Sequence, residues 1–284
     1  MRVVRLAGRA EDARLERCVA SLDAGAPADY RELAAMLALD WSRTRPARVG
    51  LSGGQGAGKS TLGSLIVSAC GFFGIRACVL GIDDFYLTRE ARRELAQRVH
   101  PLFETRGPPG THDVALCRAV LRRLAEGQAT EVPVFDKGID DRRGSRRLEG
   151  PYDLVLLEGW CVGAEPVTEA SLDLPINALE REEDPDLRWR SHVNRQLAGP
   201  YRGLWAELDL CVFLAVPDLA AVLRWRGQQD EALAPAQRLA PAALDRFVQH
   251  YERVTRSMLE TLPARAEVTV RLAPDHSVAG VEFG

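Results

Sequence analysis

Gly50-Leu51-Ser52-Gly53-Gly54-Gln55-Gly56-Ala57-Gly58-Lys59-Ser60-Thr61-Leu62 is the stretch whose reading decides the fold. From Gly53 to Ser60 it reads G-x-x-x-x-G-K-S, a phosphate-binding P-loop. Gly53, Gly54, Gly56 and Gly58 let successive backbone N–H groups turn inward around a phosphate, with Gln55 and Ala57 between them. Lys59 supplies a mobile point charge for the β- and γ-phosphates, and the hydroxyls of Ser60 and Thr61 follow it; that of Ser60 can ligate Mg²⁺. A helix starting beside Gly58 aims its positive dipole end at the same anion. Context supports the match: Arg48-Val49-Gly50-Leu51 is a short apolar strand, and Leu62, Leu65, Ile66 and Ala69 recur at helical spacing.

Outward from this loop the chain alternates. Continuous apolar runs at 77–82, 152–157 and 210–216 read as strands buried on both faces, with shorter strands at 131–135 and 268–272. Helices are expected around 89–99, 112–126, 187–205 (irregular at Gly199-Pro200), 218–229 and 241–262. The segments 136–149 and 164–185 read as a charged loop and an acidic, proline-rich surface excursion. Residues 1–47 form a helical extension expected to lie on a main domain spanning 48–284, with a lid near 224–240. This pattern is α/β, a mainly parallel sheet covered on both faces. Such sheets bind ligands at the carboxyl ends of their strands, so motifs that directly follow strands converge on one cleft.

Composition limits the partners. With 284 residues and a net charge of −3, the chain has no general attraction for nucleic acid or anionic membranes. All but two of its 37 basic residues are arginine; Lys59 and Lys137 stand out as places where a compact ammonium is wanted. Six scattered cysteines show no metal-ligand spacing and read as buried free thiols. No apolar run approaches the roughly 18 residues of a membrane span, and the charged N-terminus lacks a signal-peptide core, so a cytoplasmic protein is expected.

Phosphoryl transfer needs a phosphate cradle, a metal, an oriented hydroxyl and positive charge on the moving group. Asp83, just after the second strand, can orient or deprotonate a substrate hydroxyl; Asp84 either contacts metal-bound water or caps the next helix. Glu158 ends the strand Val155-Leu156-Leu157 and suits a Mg²⁺-water contact. Arg106 can grip an anionic substrate through its fork, while Thr111 or Asp113 can cap a helix. His112 is either a substrate contact or a surface histidine. Asp136, Lys137 and Arg142 form a mixed-sign loop that favours a site, whereas the arginines out to Arg147 read as a solvated face. Arg226, with Arg224, sits where a kinase lid carries arginines; an exposed face is the other reading.

The series Gly53–Ser60, Ile82-Asp83-Asp84-Phe85-Tyr86-Leu87-Thr88, Arg106-Gly107 with Thr111-His112-Asp113, Phe135-Asp136-Lys137, Leu157-Glu158-Gly159-Trp160 and Trp225-Arg226 resembles the D-glycerate 3-kinase family, near uridine kinase, pantothenate kinase and phosphoribulokinase. The resemblance runs from about residue 48 to 275 and leaves 1–47 and 164–185 without counterparts. It implies a three-layer α/β/α P-loop NTPase fold with a five-stranded, mainly parallel sheet in the order 2-3-1-4-5. It also implies ATP and Mg²⁺ as cofactors and a small hydroxy acid, D-glycerate, as acceptor. The implied roles are catalysis for Lys59, Asp83, Glu158 and Arg226, metal ligation for Ser60 and Glu158, and acceptor binding for Asp83, Asp84, Tyr86, Arg106, His112, Asp136, Lys137 and Arg142. A P-loop kinase for a nucleoside, pantothenate or sugar acid is the alternative enzyme, and an ATP-binding regulator the alternative class. A GTPase is disfavoured because no Asn/Thr-Lys-x-Asp element is present.

Overall fold

A computed structural model describes residues 9–231 and 240–284. Its centre is a sheet of β1 (Arg48–Gly53), β2 (Ala77–Gly81), β5 (Leu154–Gly159), β6 (Leu210–Ala215), β7 (Val268–Leu272) and β8 (Val278–Phe283), ordered β2-β5-β1-β6-β7-β8. The first five are parallel and lie in the expected order; β8 is an unanticipated sixth strand, antiparallel to β7. Leu51, Leu156, Leu157, Val212 and Leu214 are fully buried, as strands covered on both faces require.

Two apolar cores flank the sheet. On one face α1 (Arg9–Ser21), α2 (Ala28–Thr44), α3 (Lys59–Phe72) and α10 (Leu219–Glu231) close over Trp41, Leu62, Ile66 and Val222. On the other, α4 (Arg89–Arg98), α5 (Val114–Ala125) and α11 (Pro241–Thr261) enclose Phe85, Phe103, Leu121 and Tyr251. The first helical face is long because Pro27 starts α2 and Arg45, with φ 52°, ends it before β1. Five of the six cysteines are buried and all six are free thiols.

Two segments are more ordered than their composition implied. Residues 136–149, read as a charged loop, supply the β4 strand (Asp141–Leu148), which pairs antiparallel with β3 (Thr130–Asp136). β4 has no apolar alternation to betray it. Its arginines instead reach neighbouring backbone: Arg142 Nε donates to the Tyr86 carbonyl at 2.8 Å and Arg146 Nη2 to that of Val79 at 3.4 Å. Residues 164–185 contain α6 (Glu169–Leu172) and α7 (Ala178–Glu183). There Glu180 and Asp184 are fully buried against Arg253 and Arg190 at 2.6 and 2.9 Å. The irregularity expected at Gly199-Pro200 is a π-helical turn, Leu197–Tyr201, between α8 (Arg188–Gln196) and α9 (Arg202–Trp205). Proline lacks the N–H that an unbroken helix would use there. Of the lid expected near 224–240, residues 232–239 lie outside the described residues.

Candidate active site

Strand register assembles the cleft. Leu51 of β1 and Gly81 of β2 both lie opposite Glu158 of β5. The P-loop therefore leaves β1 beside Glu158, and Asp83 begins the turn just past β2 on its other side.

The loop is braced from behind. Gly56 and Gly58 have φ near 80°, and a Cβ on Gly56 would lie 2.5 Å from that of Trp225. The Tyr30 hydroxyl of α2 donates to the Ala57 carbonyl at 3.0 Å, so the N-terminal helices touch the phosphate loop. Lys59 Nζ folds back onto the Gly53 and Gly54 carbonyls at 2.8 and 2.9 Å. Burial pushes its pKa down, while Glu158 and Asp83 oppose that and support the charged form. Ser60 Oγ donates to Glu158 Oε1 at 2.9 Å, and Glu158 Oε2 is buried without a partner. Burial raises the Glu158 pKa against that hydrogen bond and the Lys59 charge. A hydroxyl and a carboxylate with an unused buried oxygen form a donor set that fits a hard divalent cation or its water.

Opposite them, Asp83 Oδ2 pairs with Lys137 Nζ at 2.7 Å. Burial raises the Asp83 pKa, but the Lys137 ammonium beside it brings the net value below the ordinary one. Thus the second lysine reaches the carboxylate that follows β2. Lys137 is 64% exposed, which leaves its remaining N–H groups open to solvent. Asp84 turns elsewhere: its carboxylate accepts from Phe135 N at 3.4 Å and faces Arg146 at 3.7 Å, tying the β3–β4 hairpin to β2.

The hairpin and the 106–113 loop pack around the Asp83 end of the cleft. Asp136 accepts from Gly138 N at 2.8 Å and so shapes the turn that carries Lys137. Arg106 is held through Nη1 by the Asp140 carboxylate, which Arg92 also grips at 2.5 Å, so part of its fork is already engaged. Arg142 spends its donors on the Tyr86 and Phe85 carbonyls and on Asp113. Asp113 caps α5 by accepting from Leu116 N at 3.0 Å, and Thr111 accepts from Gly107 N. His112 is no surface histidine; it is 5% exposed, stacked on the Tyr86 ring at 4.4 Å, with Nδ1 2.6 Å from the Tyr201 hydroxyl. Burial pushes its pKa to about 4, so the imidazole is neutral. Arg226 lies with its guanidinium 5.3 Å from the Phe247 ring of α11. Gln55 keeps both polar amide atoms buried and unpartnered, and Thr61 is exposed on the first turn of α3.

Three side chains around this cleft escaped sequence reasoning. The Tyr251 hydroxyl donates to the Arg106 carbonyl at 3.0 Å, Trp160 Nε1 donates to that of Gly107 at 3.2 Å, and Tyr201 holds His112. Only Trp160 sits in a recognisable motif; the two tyrosines lie on helices with no local sign that they reach a distant loop.

No family profile matches the chain. It is 33% identical over 222 residues to the uncharacterized kinase mug58 of Schizosaccharomyces pombe, covering 73% of this chain and 79% of that one. It is 30% identical over 234 residues to the chloroplastic D-glycerate 3-kinase of Arabidopsis thaliana, covering 77% of this chain and about half (49%) of that one. The solved D-glycerate 3-kinase of Cryptococcus neoformans superposes with a TM-score of 0.69 at 23% identity, over 98% of this chain and 100% of the other, a likeness of fold. With the P-loop, its Ser60–Glu158 contact and the sheet order on which they rest, the chain belongs to the P-loop kinase family that contains mug58 and the plant D-glycerate 3-kinase.

Proposed function

We propose that the protein transfers the γ-phosphoryl group of ATP to a hydroxyl of a small hydroxy acid, with D-glycerate, giving 3-phosphoglycerate, as the acceptor. The observation that carries this reading is the Asp83–Lys137 pair at 2.7 Å, across the cleft from Lys59 and Ser60. A carboxylate kept ionised by an ammonium can take the proton of an attacking hydroxyl, and that ammonium, with donors to spare, can hold a substrate carboxylate. The names of the plant and fungal D-glycerate 3-kinases point to the same acceptor.

In this reading the P-loop N–H groups and Lys59 bind the β- and γ-phosphates. Ser60 and Glu158 would hold Mg²⁺, which supplies charge neutralisation to the phosphates. Asp83 accepts the hydroxyl proton as the acceptor oxygen bonds to the γ-phosphorus and the bond to the ADP oxygen breaks. Arg106, engaged by Asp140, positions the loop, and Lys137 becomes the cation for the acceptor carboxylate. Arg226, one residue after the Trp225 that backs Gly56, would be the arginine for the transferred group.

Mg·ATP turnover against a panel of D-glycerate, uridine, pantothenate and sugar acids tests the acceptor. Stimulation by D-glycerate with 3-phosphoglycerate as product is expected; strong stimulation by uridine and none by D-glycerate would overturn it. Asp83→Asn is expected to lower transfer by about 10²–10⁴-fold while ATP binding stays nearly intact. Near-normal turnover in that variant would remove Asp83 from the role of base.

A further inference from the structure

We infer that Tyr201 locks His112 as its Nε2–H tautomer, and that this N–H is a hydrogen-bond donor for an oxygen of the acceptor other than the one phosphorylated. The inference rests on the kinase reading of the cleft and specifies how the acceptor is recognised there.

Proton counting gives the tautomer. The Tyr201 hydroxyl is fully buried, and its oxygen accepts from Gly110 N at 3.0 Å. It has one proton to give, and the acceptor within reach is His112 Nδ1 at 2.6 Å. Were Nδ1 protonated instead, the tyrosine proton would be left buried without an acceptor, at a cost of about 1–3 kcal/mol. Nδ1 is therefore the lone-pair nitrogen, and the proton of the neutral ring sits on Nε2.

That Nε2 is buried and has no partner among the described residues. Its ring cannot turn away, because Tyr86 stacks on it at an interplanar angle of 22° while Tyr201 holds the other nitrogen. The same Tyr86 donates its N–H to the Asp83 carbonyl at 3.3 Å, which ties the ring to the Asp83 end of the cleft. A buried donor left open beside the candidate base is most economically explained by a ligand oxygen. A neutral donor recognises lone pairs without adding a second cation beside Lys137. It also rejects acceptors that lack an oxygen at that point, because the N–H would then stay unsatisfied. Two oxygens of a glycerate-like acceptor qualify, the carboxylate and the second hydroxyl.

The test pairs tautomer and binding. In ligand-free protein, ¹⁵N imidazole spectra, with His112 identified by its absence in His112→Gln, are expected to show Nε2 protonated and Nδ1 bare at neutral pH. Tyr201→Phe is expected to weaken that bias and to raise the acceptor KM about 5–10-fold, leaving kcat and the ATP KM within about twofold. His112→Gln, whose amide nitrogen reaches the Nε2 position, should stay within about threefold of wild type in acceptor KM. His112→Asn, whose amide reaches only to Nδ1, should lose about tenfold or more. Inhibition constants for 3-hydroxypropionate and glycerol identify the oxygen: the analogue that lacks it binds wild type and His112→Asn alike. An Nδ1–H or doubly protonated ring, Asn performing as well as Gln, or both analogues keeping the full penalty overturns the inference. The spectra do not depend on which acceptor the panel selects, so failure of D-glycerate as substrate remains distinguishable from failure of the tautomer lock.

Discussion

Gly107→Ala probes how the acceptor loop is held. Gly107 has φ 124°, and a Cβ there would lie 2.0 Å from the Tyr251 hydroxyl oxygen, 2.4 Å from Cζ and 2.5 Å from Cε1. The ring has nowhere to go: it is 4% exposed and meets Trp160 edge-on at 4.8 Å. Forcing a side chain into that backbone region costs about 1–3 kcal/mol, and overpacking the aromatic contact adds about 1–3 kcal/mol. The sum, about 2–6 kcal/mol, corresponds to a fall in Tm of about 3–10 °C for a chain of this size. Because the same loop carries Arg106 and His112, the acceptor KM should rise while the ATP KM holds. A double-mutant cycle separates the two terms. In a Tyr251→Ala background the clash is gone and only the backbone part, about 1–3 kcal/mol, should remain. Equal losses in both backgrounds, or an unchanged Tm in the single variant, would refute the claim that Tyr251 clamps this loop.

Lys137→Met removes the ammonium that holds the Asp83 pKa below its ordinary value and leaves burial, which raises it, unopposed. The Asp83 pKa then rises, more of the base is protonated at a given acidic pH, and the acid limb of kcat/KM for the acceptor moves to higher pH. His112, pushed to about 4, titrates in the same acid range, so the reading is the displacement of the limb between the two proteins. A limb that does not move would detach Lys137 from the base. Arg190→Ala, by contrast, leaves the fully buried Asp184 without the cation 2.9 Å away. It should cost about 3–5 kcal/mol of stability by chemical denaturation, with kcat in the folded protein unchanged.

Much of the nucleotide side was legible because its signals are local. Gly53–Ser60 encodes its own backbone conformation, and the apolar runs at 77–82, 152–157 and 210–216 can only be doubly covered strands. The acceptor side was legible only as a set of residue types. Arg106, Asp136 and Arg142 were singled out as charges facing a ligand, yet each is engaged within the protein: by Asp140, by the turn at Gly138, and by the Phe85 and Tyr86 carbonyls. Which charge is engaged depends on contacts across tens of residues, and β4 itself, Asp141–Leu148, carries arginines where a strand pattern would carry apolar residues.

That division has a physical consequence for the cleft. A phosphate cradle needs backbone N–H groups, so its recognition is written in glycines that any reader of the chain can find. Under the proposed function, acceptor recognition depends instead on which donors the fold leaves over after its own hydrogen bonds are made. By that subtraction Arg106 and Arg142, each tied by internal contacts, count for less, and Lys137 remains, exposed and, among the described residues, paired with Asp83. His112 remains as well, with one nitrogen tied to Tyr201 and the other unpartnered. Under the proposed function, one mobile cation and one fixed neutral donor near a carboxylate kept ionised would suit a small oxygen-rich anion with a hydroxyl to phosphorylate. An uncharged nucleoside would leave the Lys137 ammonium without a partner beyond the one it already has. The acceptor panel and the His112 variants therefore bear on one question from two directions, the first through the charge of the ligand and the second through the placement of its oxygens.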